Sequence, residues 1–195
     1  MMAHMGSQVY DAIADSYRES KWLLFRHFIE RYTLAALLGD LHGRTVLDMA
    51  CGEGVYARQF RRAGAAGVTG VDISPAMVEL AESQEREDPI GCRYVCADAA
   101  AFRPAAPFDV VTAIYLLNYA STAEQATSHD ERTFEFDNYY LQPATYETAM
   151  RDAGFEDFRW VDAMLDPAEQ DDPFWADFMA QAPLTAFCAT RPESR

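Results

Sequence analysis

Basic residues are scarce in this chain: 16 lysines and arginines stand against 31 aspartates and glutamates, a formal net charge of −15. So acidic a surface repels a phosphate backbone and an anionic membrane alike, which excludes nucleic acid and lipid surfaces as partners. Long hydrophobic runs are missing as well, and none approaches the roughly 18 residues a transmembrane helix needs. The four cysteines, Cys51, Cys92, Cys96 and Cys188, form no C-x-x-C pair. Cys92 and Cys96 fall on one expected strand, where a disulfide between them is geometrically poor, so reduced thiols in a cytoplasmic protein are expected. No histidine cluster accompanies them, and no metal site is expected. The start Met1-Met2-Ala3-His4-Met5-Gly6-Ser7 lacks the apolar core of a signal peptide and looks like an expression scar, so residues 1–7 are set aside.

What the chain does have is 195 residues, half of them hydrophobic, enough for one folded domain with one core. Its centre is Thr45-Val46-Leu47-Asp48-Met49-Ala50-Cys51-Gly52-Glu53-Gly54. The apolar start predicts a short buried strand that ends on a carboxylate and enters a loop of small residues. Val55, Tyr56, Gln59 and Phe60 then have helical spacing, closed near Gly64. A strand that turns through glycines into a helix brings backbone N–H groups and a helix N-terminus close to a ligand. Gly52-Glu53-Gly54-Val55-Tyr56-Ala57 satisfies the dinucleotide pattern G-x-G-x-x-G/A, with Asp72 about 20 residues on, so an NAD(P)-binding oxidoreductase is one reading. A pyrophosphate would have to sit among Asp48 and Glu53, however, and like charges repel in a poorly solvated site. A ligand carrying positive groups and no phosphate suits these residues better.

Gly67-Val68-Thr69-Gly70-Val71-Asp72 predicts a second strand, and Ser74-Pro75 the start of a helix through Met77, Val78 and Leu80. Cys92–Cys96 predicts a third strand, followed by Ala97-Asp98-Ala99, and Phe108–Ile114 a nearly continuous apolar fourth. Three strand ends therefore deliver Asp48, Asp72 and Asp98 to one sheet edge. A carboxylate at Asp72 can accept both hydroxyls of a ribose. Ahead of the first strand, Tyr10, Ile13, Ala14 and Tyr17 share a helical face, as do Trp22, Phe25, Phe28, Tyr32 and Ala36, with Gly39 as the stop. Toward the C-terminus, strands are expected over Phe134–Leu141, Phe155–Val161 and Leu184–Thr190. Helices are expected from Pro143 to Gly154 and after Asp172-Pro173.

The run Asp48-x-Ala50-Cys51-Gly52-x-Gly54, with acids one and two strands later, resembles the motifs of class I S-adenosylmethionine-dependent methyltransferases. Ala50 stands where many members have glycine. The resemblance implies an α/β fold with a Rossmann-like, mostly parallel sheet, one antiparallel edge strand and helices on both faces. It implies an N-terminal helical lid over residues 8–42 and the methyltransferase domain over 43–195. It assigns Tyr17, Asp48, Ala50, Gly52, Asp72, Ile73, Met77, Asp98, Ala99, Tyr115 and Leu116 to S-adenosyl-L-methionine, whose product is S-adenosyl-L-homocysteine. Asp98 would then meet the adenine amino group. Tyr10, Trp22, Asn118, Tyr119, Asp137 and Tyr139 are assigned to a small aromatic or heteroaromatic metabolite, methylated at N or O. The bacterial secondary-metabolism enzymes, including azapteridine (toxoflavin-like) N-methyltransferases, are the nearest in pattern. No histidine occupies a suggestive position, and no catalytic base is assigned. Monomer and homodimer both stay open.

One departure from the family stands out. After the fourth strand the family places a full helix, a glycine turn and a fifth parallel strand, but residues 121–133 are too short for that unit. The fourth strand must then find another neighbour or stay exposed. A catalytically inactive cofactor-binding protein is accordingly the third reading.

Overall fold

The computed structural model describes residues 23–117, 125–127, 137–139, 141–182 and 184–192. Tyr10, Tyr17, Trp22, Asn118 and Tyr119, with the first stretch of the expected lid, lie outside the described residues. The chain divides into two compact units, one containing Asp40–Tyr140 and the other Arg18–Gly39 with Leu141–Arg195.

The first unit is built on a parallel sheet of β1 (Thr45–Met49), β2 (Gly67–Asp72), β3 (Cys92–Cys96) and β4 (Val110–Ala113), in the spatial order β3-β2-β1-β4. The chain winds outward from β1 in one direction and then returns to β1's other side, which opens a crevice at the carboxyl ends of the strands. Val46, Leu47, Val68 and Val71 are buried, as two-sided burial of a parallel sheet requires. Between β1 and β2 runs α1 (Val55–Arg62), and between β2 and β3 runs α2 (Pro75–Glu87). The start of α2 is the one expected: Ser74 Oγ accepts from Met77 N at 3.2 Å, and Pro75 takes the first turn.

Two polar devices fix this unit. The Arg58 guanidinium on α1, 5% exposed, donates to Glu85 Oε2 (2.5 Å) and to the backbone and carboxylate oxygens of Asp88 (both 2.7 Å). Glu85 Oε1 in turn accepts from the N–H groups of Ile90 (2.7 Å), Gly91 (2.6 Å) and Cys92 (3.3 Å), so it steers the chain into β3. At the other end of the sheet, Asp109 Oδ2 accepts from both N and Oγ1 of Thr45 at 2.7 Å and ties the approach to β4 to the start of β1.

These Thr45 hydrogen bonds hold the Asp109 carboxyl below the usual carboxylate range. A depressed folded-state pKa contributes stability above the unfolded-state pKa, and that contribution is lost as pH falls through the folded value. Asp109→Asn should therefore lower Tm slightly at about pH 7 and leave it unchanged at about pH 2, as pH-dependent thermal melts would read.

β4 is shorter than expected, because its ladder with β1 starts at Val46↔Val110 and Asp109 is occupied by its clamp. Among the described residues β4 pairs only with β1, and Val111 is 61% exposed. Gln125–Thr127, inside the shortened 121–133 segment, forms β5, which pairs antiparallel with β6 (Asp137–Tyr139).

The second unit carries the expected helix before β1 in altered form. Arg26–Glu30 is a π-helical stretch that continues as α3 (Arg31–Leu38) and ends at Gly39 with φ 60°. Chain order places this helix ahead of the parallel sheet, but its partners follow the sheet. Thr33 Oγ1 accepts from Met164 N (2.8 Å) and donates to Met164 O (3.3 Å), and Asp166 N donates to Phe28 O (2.9 Å). Phe25 stacks on Phe178, and Phe28 meets the buried Trp175 edge-on, both on α5 (Phe174–Ala180). The aromatic stripe here is core packing. α4 (Pro143–Asp152) stops before Gly154 as expected, and β7 (Glu156–Asp162) pairs antiparallel with β8 (Thr185–Thr190). Tyr146, Phe158, Trp160 and Phe187 form one ring cluster in this unit. Among the described residues two antiparallel ladders, β5 with β6 and β7 with β8, accompany the parallel sheet. No described helix is long and apolar enough to cross a membrane.

Candidate cofactor site

β1 delivers Asp48 to the crevice at 1% exposure, and Thr112 on β4, its register partner, donates from Oγ1 to Asp48 Oδ1 at 2.8 Å. A buried carboxylate needs such donors to stay charged. The chain then turns sharply. Ala50 (φ 57°), Gly52 (φ 55°) and Gly54 (φ 82°) are all left-handed. The sequence comparison of alanine for glycine at position 50 thus has a conformational basis: glycine adopts this φ freely, whereas alanine costs about 1 kcal/mol. The turn closes through Cys51 N→Val71 O (3.0 Å) and Gly54 N→Cys51 O (3.0 Å).

Asp72, at the end of β2, is the keystone. Its Oδ2 accepts from Gly52 N at 2.8 Å and its Oδ1 from Ser74 N at 2.9 Å, while its carbonyl accepts from Ala97 N at 2.9 Å. One residue therefore joins the glycine turn and the start of α2 through its side chain and the exit from β3 through its backbone carbonyl. Asp98, beyond β3, accepts from Ala100 N at 2.8 Å and lies on the same edge with Ala99. Ile73 is half-buried beside Asp72, whereas Met77 is 2% exposed inside the packing of α2. Past β4, Tyr115 takes φ 59° and is 39% exposed, and Leu116 is half-buried.

The structure therefore hydrogen-bonds Gly52 to Asp72, brings Asp48 and Ala50 to the same turn, and sets Asp98, Ala99, Tyr115 and Leu116 past the neighbouring strand ends. Asp137 and Tyr139 are placed on β6 by their backbone alone. Sequence reasoning missed Thr112, although a polar residue inside Val110-Val111-Thr112-Ala113 was a signal for it. Glu53 is also more deeply set than its loop position suggested: it is 3% exposed, and Gln84 Nε2 donates to its carbonyl at 3.3 Å and its Oε2 at 3.4 Å.

These residues fit a cationic, phosphate-free nucleoside ligand. Gly52 faces open space where a Cβ would stand, so the turn is approachable to its backbone. The acidic side chains of the turn and its strand ends are acceptors: Asp48 and Glu53 are buried and Asp72 is half-buried. Burial and the charges of Asp48 and Asp72 push the Cys51 thiol far above its ordinary range, so it is a neutral packing group and no nucleophile. No cluster of histidine, cysteine and carboxylate able to hold a metal occurs among the described residues.

Thr112→Val keeps the shape of the side chain but removes the donor to Asp48. The expected loss is about 1.5–3 kcal/mol, the range for a buried hydrogen bond to a charge, read by denaturant titration.

Residues 46–132 match the family model described as a methyltransferase domain. Among curated proteins, the chain is 40% identical over 76 residues to a ribosomal protein L11 methyltransferase of Burkholderia thailandensis, covering 39% of this chain and 24% of that protein. It is 35% identical over 88 residues to a ubiquinone biosynthesis O-methyltransferase of Alkalilimnicola ehrlichii, covering 44% and 35%. The chain thus spans a quarter to about two fifths of the length of the curated relatives it matches. A crystal structure of a putative S-adenosylmethionine-dependent methyltransferase from Listeria monocytogenes superposes with a TM-score of 0.67 at 20% identity, covering 84% of this chain and 97% of that one. The chain therefore has the fold of the methyltransferase structure it superposes on, and its residues 46–132 match the methyltransferase-domain model.

Proposed function

We propose that this protein transfers a methyl group from S-adenosylmethionine to a small, flat aromatic or heteroaromatic metabolite, at nitrogen or oxygen, in the cytoplasm of a bacterium that makes secondary metabolites. The observation that carries the reading is the Asp72 carboxylate, held by Gly52 N–H and Ser74 N–H at the edge where Asp48 and Asp98 also arrive. A carboxylate oxygen can accept more than one hydrogen bond, so each Asp72 oxygen can take a ribose hydroxyl as well as its backbone N–H. In this reading Asp98 would accept from the adenine amino group, and Asp48 with Glu53 would favour the cationic end of the ligand. Ala50, Gly52, Ile73, Met77, Ala99, Tyr115 and Leu116 complete this cofactor set, with Tyr17 from the N-terminal segment. The cofactor, when bound, supplies a methyl carbon already activated by its sulfonium. The protein's task is then proximity and alignment.

Tyr10, Trp22, Asn118, Tyr119, Asp137 and Tyr139 are the residues we assign to the acceptor, and the acidic surface favours a small molecule over nucleic acid. Residues 8–42 would act as the lid and 43–195 as the catalytic domain. Calorimetric titration with S-adenosylhomocysteine tests the cofactor half. Methylation of a panel of hydroxylated and nitrogen-heteroaromatic acceptors, read by mass, tests the other. Tight cofactor binding with no acceptor methylated would favour a cofactor-binding protein without transferase activity, as the shortened 121–133 segment would allow. Binding of NADH and not of S-adenosylhomocysteine would sink both.

A further inference from the structure

The two glycines of the turn face different surroundings. A Cβ at Gly52 would meet nothing within 4 Å, whereas one at Gly54 would lie 2.5 Å from Tyr94 Oη and 2.8 Å from its Cε1 and Cζ. Tyr94 is 8% exposed on β3 and pairs in register with Gly70 of β2. A Cβ at Gly70 would likewise come within 2.8 Å of Tyr94 Cδ1 and 2.7 Å of Cys51 Sγ. One phenol ring therefore fills the hollow left by two glycines on two different elements and reaches up to the N-cap of α1. Its polar neighbour is the Cys92 thiol, and burial keeps the phenol neutral. A leucine or valine on β3 would fill the strand face without reaching Gly54.

We propose that Tyr94 is a positioning residue of the cofactor site. Its ring is the floor on which the Cys51–Gly54 turn rests, and it holds Gly52 N–H on Asp72 with the other side of the turn open to ligand. The proposal rests on the cofactor reading above for its affinity effect, but the conformation of the turn can be measured without any ligand.

The test compares Tyr94→Leu and Tyr94→Phe with Val68→Ala. Val68 is a 3% exposed residue at the far end of β2, which serves as a control for loss of core packing. Two quantities are read well below each variant's melting temperature: hydrogen exchange over residues 51–55 without ligand, and affinity for S-adenosylhomocysteine. Tyr94→Leu should speed exchange in the turn and weaken binding by about tenfold or more. Tyr94→Phe, which keeps the ring, should stay within about twofold of the wild type, and so should Val68→Ala despite its lower stability. If Tyr94→Leu leaves turn exchange unchanged, or if Val68→Ala speeds it equally, Tyr94 is an ordinary core residue and the proposal is overturned. If Tyr94→Leu does not fold, Tyr94→Met is held to the same comparison. A wild-type protein that fails to bind S-adenosylhomocysteine removes the cofactor reading, while the exchange result still decides the role of Tyr94.

Discussion

Asp72→Ala is expected to weaken S-adenosylhomocysteine binding by about a hundredfold or more, since charge-assisted hydrogen bonds contribute roughly 1.5–3 kcal/mol each and a ribose diol would use two. The loss has a second source in the free protein. Gly52 N–H and Ser74 N–H both aim at this carboxylate, and alanine offers them no acceptor. Asp72→Asn is the sharper probe. An amide has one oxygen and one NH2 group, so it must point a donor at one of two N–H donors 2.8 and 2.9 Å away. The near-isosteric asparagine should therefore bind as poorly as the alanine, and an asparagine variant with wild-type affinity would show that the carboxylate is not what grips the ligand. Calorimetric titration reads both variants.

The largest expected change in stability is at Arg58. Its guanidinium and the Glu85 carboxylate are mostly buried, at 5% and 17% exposure, and Arg58→Ala would leave Glu85 without its cation. Breaking a buried pair from one side costs about 3–5 kcal/mol, which for a chain of this size lowers Tm by roughly 10 °C. Glu85 also gathers the N–H groups of Ile90, Gly91 and Cys92, so the damage should spread to the entry of β3. Asp88, 63% exposed, is the contrasting partner, and Asp88→Asn should change Tm little because exposed ion pairs are weak. Thermal melts followed by circular dichroism separate the two.

The sequence carried the parts of this fold that local chemistry dictates. β2 falls on the expected residues because its valines stand between glycine and acid, β3 because Tyr94 and Val95 follow the turn at Gly91, and α2 begins where Ser74-Pro75 says it must. Asp48, Asp72 and Asp98 were legible as a set because parallel strands bring their ends to one edge. What was not legible depends on distant residues. Arg58 on a helix surface looks solvated until Glu85 and Asp88, some 30 residues on, are folded against it. Tyr94 resembles any strand aromatic until Gly54 and Gly70 are seen to make room for it. β5 escaped because Gln125-Ala126-Thr127 has little strand preference of its own and depends on its ladder with Asp137–Tyr139. The π-helical turn at Arg26–Glu30 leaves no mark on an apolar periodicity read at 3.6 residues per turn.

The hydrogen bonds between Thr33 and Met164 join residues 131 positions apart. At about 5–20 residues per second of synthesis, roughly 7–26 s separate their emergence from the ribosome. During that interval Phe25 and Phe28 have been made and Trp175 and Phe178 have not, while the whole of Thr45–Ala113 has been delivered. The parallel sheet can thus be complete before the first helix meets its partners, and the nascent chain carries an uncovered aromatic surface for that time. The order of birth makes the glycine turn an early structure and the aromatic unit a late one, closed only when the last fifth of the chain arrives.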